Sequence, residues 1–190
     1  MRGGAKFETK GFDRVIRQRV NALAGVKLTV GIHRGKMNQG VDVALYGAWN
    51  NFGTKNAMGW ELIPERPFMR FAADRIADWM RTDAYKEVLR DVARGRITPQ
   101  QAIARIGAQA VQITRKTIAD SALYRPNSDI TIARKGSSKA LIDTGFLINS
   151  ITQKIMADKA FVGLLRGTVN KDGESMVNIG AVMEYGATIN

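Results

Sequence analysis

The chain has 190 residues, 45% of them hydrophobic, and 29 Lys and Arg against 17 Asp and Glu give it a net charge of +12. With no cysteine there is no disulfide framework or thiolate metal site, and a single histidine, His33, argues against a histidine-ligated metal or a His-dependent triad. No run approaches the ~18 apolar residues of a membrane-spanning helix, and the opening "MRGGAKFETKGF" lacks the apolar stretch of a secretory signal. The composition predicts a soluble protein, cytosolic when made and drawn to polyanions or acidic protein surfaces.

Residues 11–24 place Phe12, Val15, Ile16, Val20 and Leu23 on one helical stripe that stops at Gly25. The run "VKLTVGIHR" then alternates Val26, Leu28, Val30 and Ile32 with Lys27, Thr29 and Gly31, which predicts a strand with one buried face. After the loop "GKMNQG", Asp42 is placed to cap a short helix carrying Leu45, Ala48, Trp49 and Phe52 and ended by Gly53. A loop leads to "IPERPFMRFAADRIADWM", where Pro67 suits the first turn of a helix whose stripe is Phe68, Phe71, Ala72, Ile76, Trp79 and Met80. A further helix is expected over 83–93. Beyond it, Thr98 and Gln101 match a capping box with Pro99 at the first helical position. Ile103, Ile106, Ala110, Ile113 and Thr117 then form a narrow seam on a long helix.

Residues 121–140 are polar and turn-rich and read as an exposed loop or arm. The end returns to a shorter rhythm: "SITQKIMA", "KAFVGLL" and "SMVNIGAV" are expected as strands, with "NKDGES" turning between the last two. The fold expected is therefore one α+β domain over 1–190. It has an antiparallel sheet packed against a long helix, a helical insertion over 65–120 and an extended loop over 121–140.

Little in the chain carries catalytic chemistry. "LIDTG" at 141–145 has the form in which aspartic proteases present a carboxylate, and a homodimer could bring two copies of Asp143 together to share a proton. The plainer reading is that Asp143 or Thr144 caps the turn or helix opening at Gly145 and Phe146. "KGSSK" at 135–139 lacks the spacing of a phosphate-binding loop and reads as a solvated basic loop. No metal or cofactor site is expected. A nucleic-acid-binding reading would have Tyr124, Arg125, Arg134, Lys135 and Lys139 gripping phosphate.

One phrase occurs twice: "YGAWNNFGT" at 46–54 and "IGAVMEYGA" at 179–187. They pair Gly47 with Gly180, Ala48 with Ala181, Phe52 with Tyr185 and Gly53 with Gly186. An aromatic buried in the core and followed by a glycine of positive φ is a device for reversing the chain, so Phe52–Gly53 and Tyr185–Gly186 are expected as two such turns, through duplication or convergence.

The runs "VALYGAWNNFGTKN…IPERPFMRFA" and "ARKGSSKALIDTGFLINSI" together resemble the tail-completion, or head–tail joining, proteins of long-tailed bacteriophages. The resemblance spans roughly 28–72 and 130–187. Phe52, Gly53 and Thr54 match the family's aromatic-Gly-Thr turn, and Pro64, Arg66, Pro67 and Phe68 match its proline box. Asp143, Thr144 and Gly145 match its Asp-Thr-Gly turn, and the second aromatic-Gly phrase, at Tyr185 and Gly186, departs from the usual single one. The resemblance implies a non-enzymatic virion protein of the neck, assembled as a ring of six copies, or alternatively twelve. Such a ring would contact the connector or adaptor on one side and the tail tube or tail terminator on the other, close to packaged DNA and without a membrane. Arg66 and Phe68 in the proline box are the interface anchors this reading suggests, with a core role for Phe68 as the alternative. Arg134, Lys135 and Lys139 mark the second candidate contact, an arm ordered on assembly.

Overall fold

The computed structural model of the chain describes residues 10–24, 26–157 and 187–189. Helix α1, Lys10–Ala24, leads into strand β1, Val26–Ile32, both where the periodicity predicts them. Val15 and Val20 of the expected α1 stripe are nevertheless exposed. Strand β1 is buried from Leu28 to Ile32 on both of its sides, not on one. Thr29 tolerates this because its hydroxyl donates to the Lys154 carbonyl at 3.2 Å, so no polar group is left unpaired.

The loop "GKMNQG" closes into a small hairpin, β2 (Met37–Asn38) with β3 (Val41–Asp42). Helix α2, Val43–Phe52, begins under an Asp42 cap whose carboxylate accepts from Ala44 N–H at 2.8 Å. A second hairpin, β4 (Thr54–Lys55) with β5 (Glu61–Ile63), occupies what reads as loop in the sequence. Helices α3 (Phe68–Met80), α4 (Asp83–Arg94) and α5 (Pro99–Ala119) form the helical middle. Pro67 sits one residue before α3, as its N-cap. The capping box of α5 is complete: Gln101 N–H donates to Thr98 Oγ1 at 3.2 Å, and Thr98 N–H to Gln101 Oε1 at 2.9 Å.

The segment 121–140 is largely exposed, as expected, but it is tied to the body of the protein at a few points. It contains a 3-10 turn, Ser121–Leu123, and helix α6, Asp129–Lys135. Tyr124, Asn127 and Ala140 are buried. The Tyr124 hydroxyl donates to the Thr117 carbonyl at 2.6 Å and its ring lies 6.1 Å from that of Phe71, so an apolar body with a bonded tip anchors a stretch that polarity alone marks as solvated. Helix α7, Phe146–Asn149, then leads into strand β6, Ile151–Ala157.

The main sheet has the order β6-β1-β7, all antiparallel, where β7 is Ala187–Ile189, a strand the sequence reading did not place. Val26 faces Ala157 and Ile32 faces Ile151 across the first pair, and Leu28 faces Ile189 across the second. The expected strands at 159–165 and 175–182, and the turn between them, lie outside the described residues. Helix α5 packs on β1 and β6, and its seam of Ile103, Ile106, Ala110 and Thr117 is buried. The fold is thus α+β, with a long helix against an antiparallel sheet. One apolar cluster joins Val30, Ile32, Val43, Phe68, Met69, Ile76, Ile118, Leu141, Leu147 and Ile151, and so draws α2, α3, α5, α7 and the sheet around one centre. No helix among the described residues is long and apolar enough to cross a membrane.

Candidate interaction surface

Helix α2 is turned the wrong way round for an ordinary surface helix. Its buried positions are Val43, Ala44, Gly47, Asn50 and Asn51, a stripe of small and polar residues at helical spacing. Of the stripe the sequence marks as apolar, Leu45, Trp49 and Phe52 face solvent together with Tyr46, and Ala48 is half-buried. Phe52 is 43% exposed and so does not anchor its turn in the core as expected. The phase is set by what the inner face must do. A side chain at Gly47 would meet the end of the Ile32 side chain at 2.6 Å, so any larger residue there requires Ile32 to move. Asn51 Oδ1 accepts from the Met69 N–H at 3.0 Å, one of the free donors at the start of α3, and the Asn50 carbonyl accepts from Arg66 N–H at 2.9 Å. The bulky stripe is left outside because the inner one is committed to docking the proline box.

The chain reversal that follows rests on Gly53 alone. Its φ of +70° suits glycine, and a Cβ there would meet backbone atoms, Ile63 O at 2.8 Å and Glu65 N at 2.9 Å. Thr54 opens β4 beside it.

The proline box points inward, against its reading as an interface and in line with the core role given as the alternative for Phe68. Phe68 is 1% exposed and belongs to the main core, Arg66 is 5% exposed, and Pro64 and Pro67 are half-buried. Arg66 Nε donates to the Arg125 carbonyl at 3.1 Å and Nη2 to Asn127 Oδ1 at 2.9 Å. Asn127 Nδ2 in turn donates to the Lys139 carbonyl at 3.2 Å. This chain of bonds fastens 125–139 to the box. The Arg66 guanidinium has no ion pair among the described residues, and burial pushes its pKa below the ordinary value. Burial likewise lowers Lys135, whose ammonium donates to the Lys139 carbonyl at 3.4 Å, while the charge of Asp143 works in the opposite sense.

Arg134 and Lys139 are exposed and Lys135 is half-buried, so the basic residues of this segment do not form one open patch. Tyr124, expected to contact phosphate, is taken up by the core, and Arg125 pairs with Glu61 at 2.6 Å.

The Asp-Thr-Gly turn is correct as a turn and wrong in its capping residue. Gly145, φ +76°, holds the N-cap position of α7 and no side chain caps it. Asp143 and Thr144 are exposed and line a cavity of about 200 Å³ with Val41, Tyr46, Trp49 and Phe146. Burial raises the pKa of the Tyr46 phenol, and the nearby Asp143 charge adds to the effect. No group of three or more His, Cys, Asp or Glu residues that could hold a metal occurs among the described residues. Tyr185 and Gly186, the second aromatic-Gly phrase, lie outside the described residues.

The feature that sequence reading missed is the tip of the β4–β5 hairpin. Met58, Trp60 and Leu62 are 80%, 72% and 64% exposed. Trp60 and Leu62 share one face by the two-residue period of a strand, while Glu61 on the other face is held by Arg125. The alternation in "MGWEL" around a glycine was its available signal. Compared with protein-family models, curated proteins and solved structures, the chain matches none.

Proposed function

We propose that this chain is a non-enzymatic structural subunit that joins a phage head to its tail, assembling as a ring in the neck of the virion after synthesis in the host cytoplasm. Six copies are the preferred number and twelve the alternative, with the connector or adaptor above and the tail tube or terminator below. The observation that carries the reading is the outward aromatic stripe of α2, Leu45, Tyr46, Trp49 and Phe52. Large apolar residues held outside on a rigid helix, while small ones are spent inside, suit a surface that another protein covers. The resemblance of the sequence motifs suggests the assembly, and the exposed stripe is a contact of the kind it would need.

The test is a joining assay. Extracts of infected cells lacking this chain should accumulate filled heads and finished tails apart, and the purified protein should join them into infectious particles. Joined particles forming without the chain would overturn the reading. The +12 charge and the exposed Arg134 and Lys139 favour nucleic-acid binding as the second reading. It requires a shift of linear duplex in a gel at moderate salt, weakening steeply as salt rises.

A further inference from the structure

We infer that the β4–β5 hairpin of one copy seats its apolar tip in the cavity beside α2 of the next copy. The inference rests on the reading of the chain as an assembling subunit and names the contact between subunits.

The tip is built to hold one shape. Asn56 Oδ1 accepts from the N–H groups of Met58 at 3.0 Å and Trp60 at 2.9 Å. Asn56 N–H donates to the Trp60 carbonyl at 2.9 Å, and Gly59 N–H donates to the Asn56 carbonyl at 2.9 Å. Four bonds centred on one residue fix five residues of backbone, and the Arg125–Glu61 pair ties the second strand to the body of the protein. A projection ordered in advance loses little freedom on docking, which is what an anchoring contact requires. What it presents is Met58 and Trp60, residue types enriched at the centres of interfaces.

The receiving site lies on the same chain. The cavity of about 200 Å³ is walled by Val41, Tyr46, Trp49, Phe146 and Leu147, with Asp143 at its rim. Small-molecule sites occupy about 300–1,000 Å³, so this one suits one or two protein side chains better than a cofactor. It is continuous with the exposed stripe of α2 through Tyr46 and Trp49. The tip does not fill the cavity of its own chain, since Met58 and Trp60 stay open to solvent. Charge completes the match. Lys55 on the hairpin and Asp143 at the rim are both exposed, and neither has an ion pair among the described residues, although the charge of Asp143 is also felt by Lys135. A knob and a hole at different places on one molecule make a head-to-tail contact, which closes into a ring or runs on as a filament.

The absence of cysteine makes disulfide trapping clean. Met58→Cys and Phe146→Cys both alter exposed positions, and circular dichroism would verify that each variant folds. Under mild oxidation at high concentration, the double variant should give a ladder of dimers, trimers and higher species on a non-reducing gel. The two single variants mixed together should stop at a heterodimer. Lys55→Glu should cut the ladder up to about fivefold, the weight of one exposed charge pair, and adding Asp143→Lys should restore it. No ladder, a monomer with an internal disulfide, or dimers of Met58→Cys alone in equal yield would each overturn the contact. If trapping fails while the unmodified protein still joins heads to tails, the contact is wrong and the joining function stands. A charge-dependent ladder from a protein that does not join them would leave the contact standing without that function.

Discussion

Removing the guanidinium of Arg66 should unfold the region it fastens before it touches any assembly contact. The side chain makes two charge-assisted hydrogen bonds, to the Arg125 carbonyl and to Asn127 Oδ1. Bonds of this kind contribute about 1.5–3 kcal/mol each, so the gross loss in Arg66→Ala is about 3–6 kcal/mol. Part is returned because a buried cation without an ion pair no longer has to be desolvated, a penalty of several kcal/mol per ion. Part is added back because Asn127 Oδ1, on a buried residue, loses its donor, at about 1–3 kcal/mol. The net expectation is a loss of about 2–4 kcal/mol. For a chain of this size each kcal/mol moves the thermal midpoint by about 2–4 °C, so the midpoint should fall by roughly 4–16 °C. Arg66→Met, which keeps the stem and drops the charge, should lose less. Arg66→Lys should not rescue fully, because a single ammonium cannot reproduce the two-pronged fork.

Phe68→Ala beside it should cost about 3–5 kcal/mol as a core cavity. The double variant should therefore fail to accumulate folded protein instead of leaving sound heads and tails unjoined. The assay is thermal and urea denaturation of purified variants. An Arg66→Ala protein with the parent's midpoint that fails to join heads and tails would refute the burial argument and return Arg66 to an interface.

Three further expectations follow from single sites. Gly53→Ala should be destabilising by at least the ~1–2 kcal/mol of a positive φ at an L-residue, since its Cβ also meets backbone at Ile63 and Glu65; an unchanged urea midpoint would mean the turn can relax. Asp143→Ala should leave stability within about 0.5 kcal/mol, the range of surface changes, because Asp143 caps nothing; a larger loss in denaturation would show a role in the fold, and loss of particle maturation by folded, incorporated Asp143→Asn would point to acid–base chemistry. His33 is held below its ordinary value of about 6.5 by burial first and then by Lys154 and Lys36. The unfolded chain therefore takes up a proton near that pH while the folded one does not. Stability should fall as pH drops below about 6.5, level off below the depressed value, and lose this slope in His33→Gln.

Local devices were legible in the sequence because each is written in a few adjacent residues. The Asp42 cap, the Thr98–Gln101 box and the alternation of β1 all stand where those residues put them. The segment 121–140 was not legible, because its order depends on partners far along the chain: Arg66 reaches Asn127 across 61 positions and Glu61 reaches Arg125 across 64. Polarity marks such a segment as solvated, although bonds to distant groups can bury it as well as water can hydrate it.

The two phenylalanines of the matched motifs show where periodicity stops being informative. Phe52 reads as a core anchor, and Phe68 as an interface anchor with a core role as the alternative; the structure leaves Phe52 43% exposed and gives Phe68, 1% exposed, the core role. A helical stripe records that apolar residues share a face, but not which face the fold has already filled. On α2 the deciding residues are Gly47, which admits Ile32, and Asn51, which satisfies the start of α3. Once those two are committed inward, the geometry of 3.6 residues per turn puts Leu45, Trp49 and Phe52 outward. Small and polar residues at helical spacing beside a bulky apolar stripe thus record which face the fold itself uses. In this chain the outward stripe sits on the element that leads directly into the hairpin carrying Met58 and Trp60.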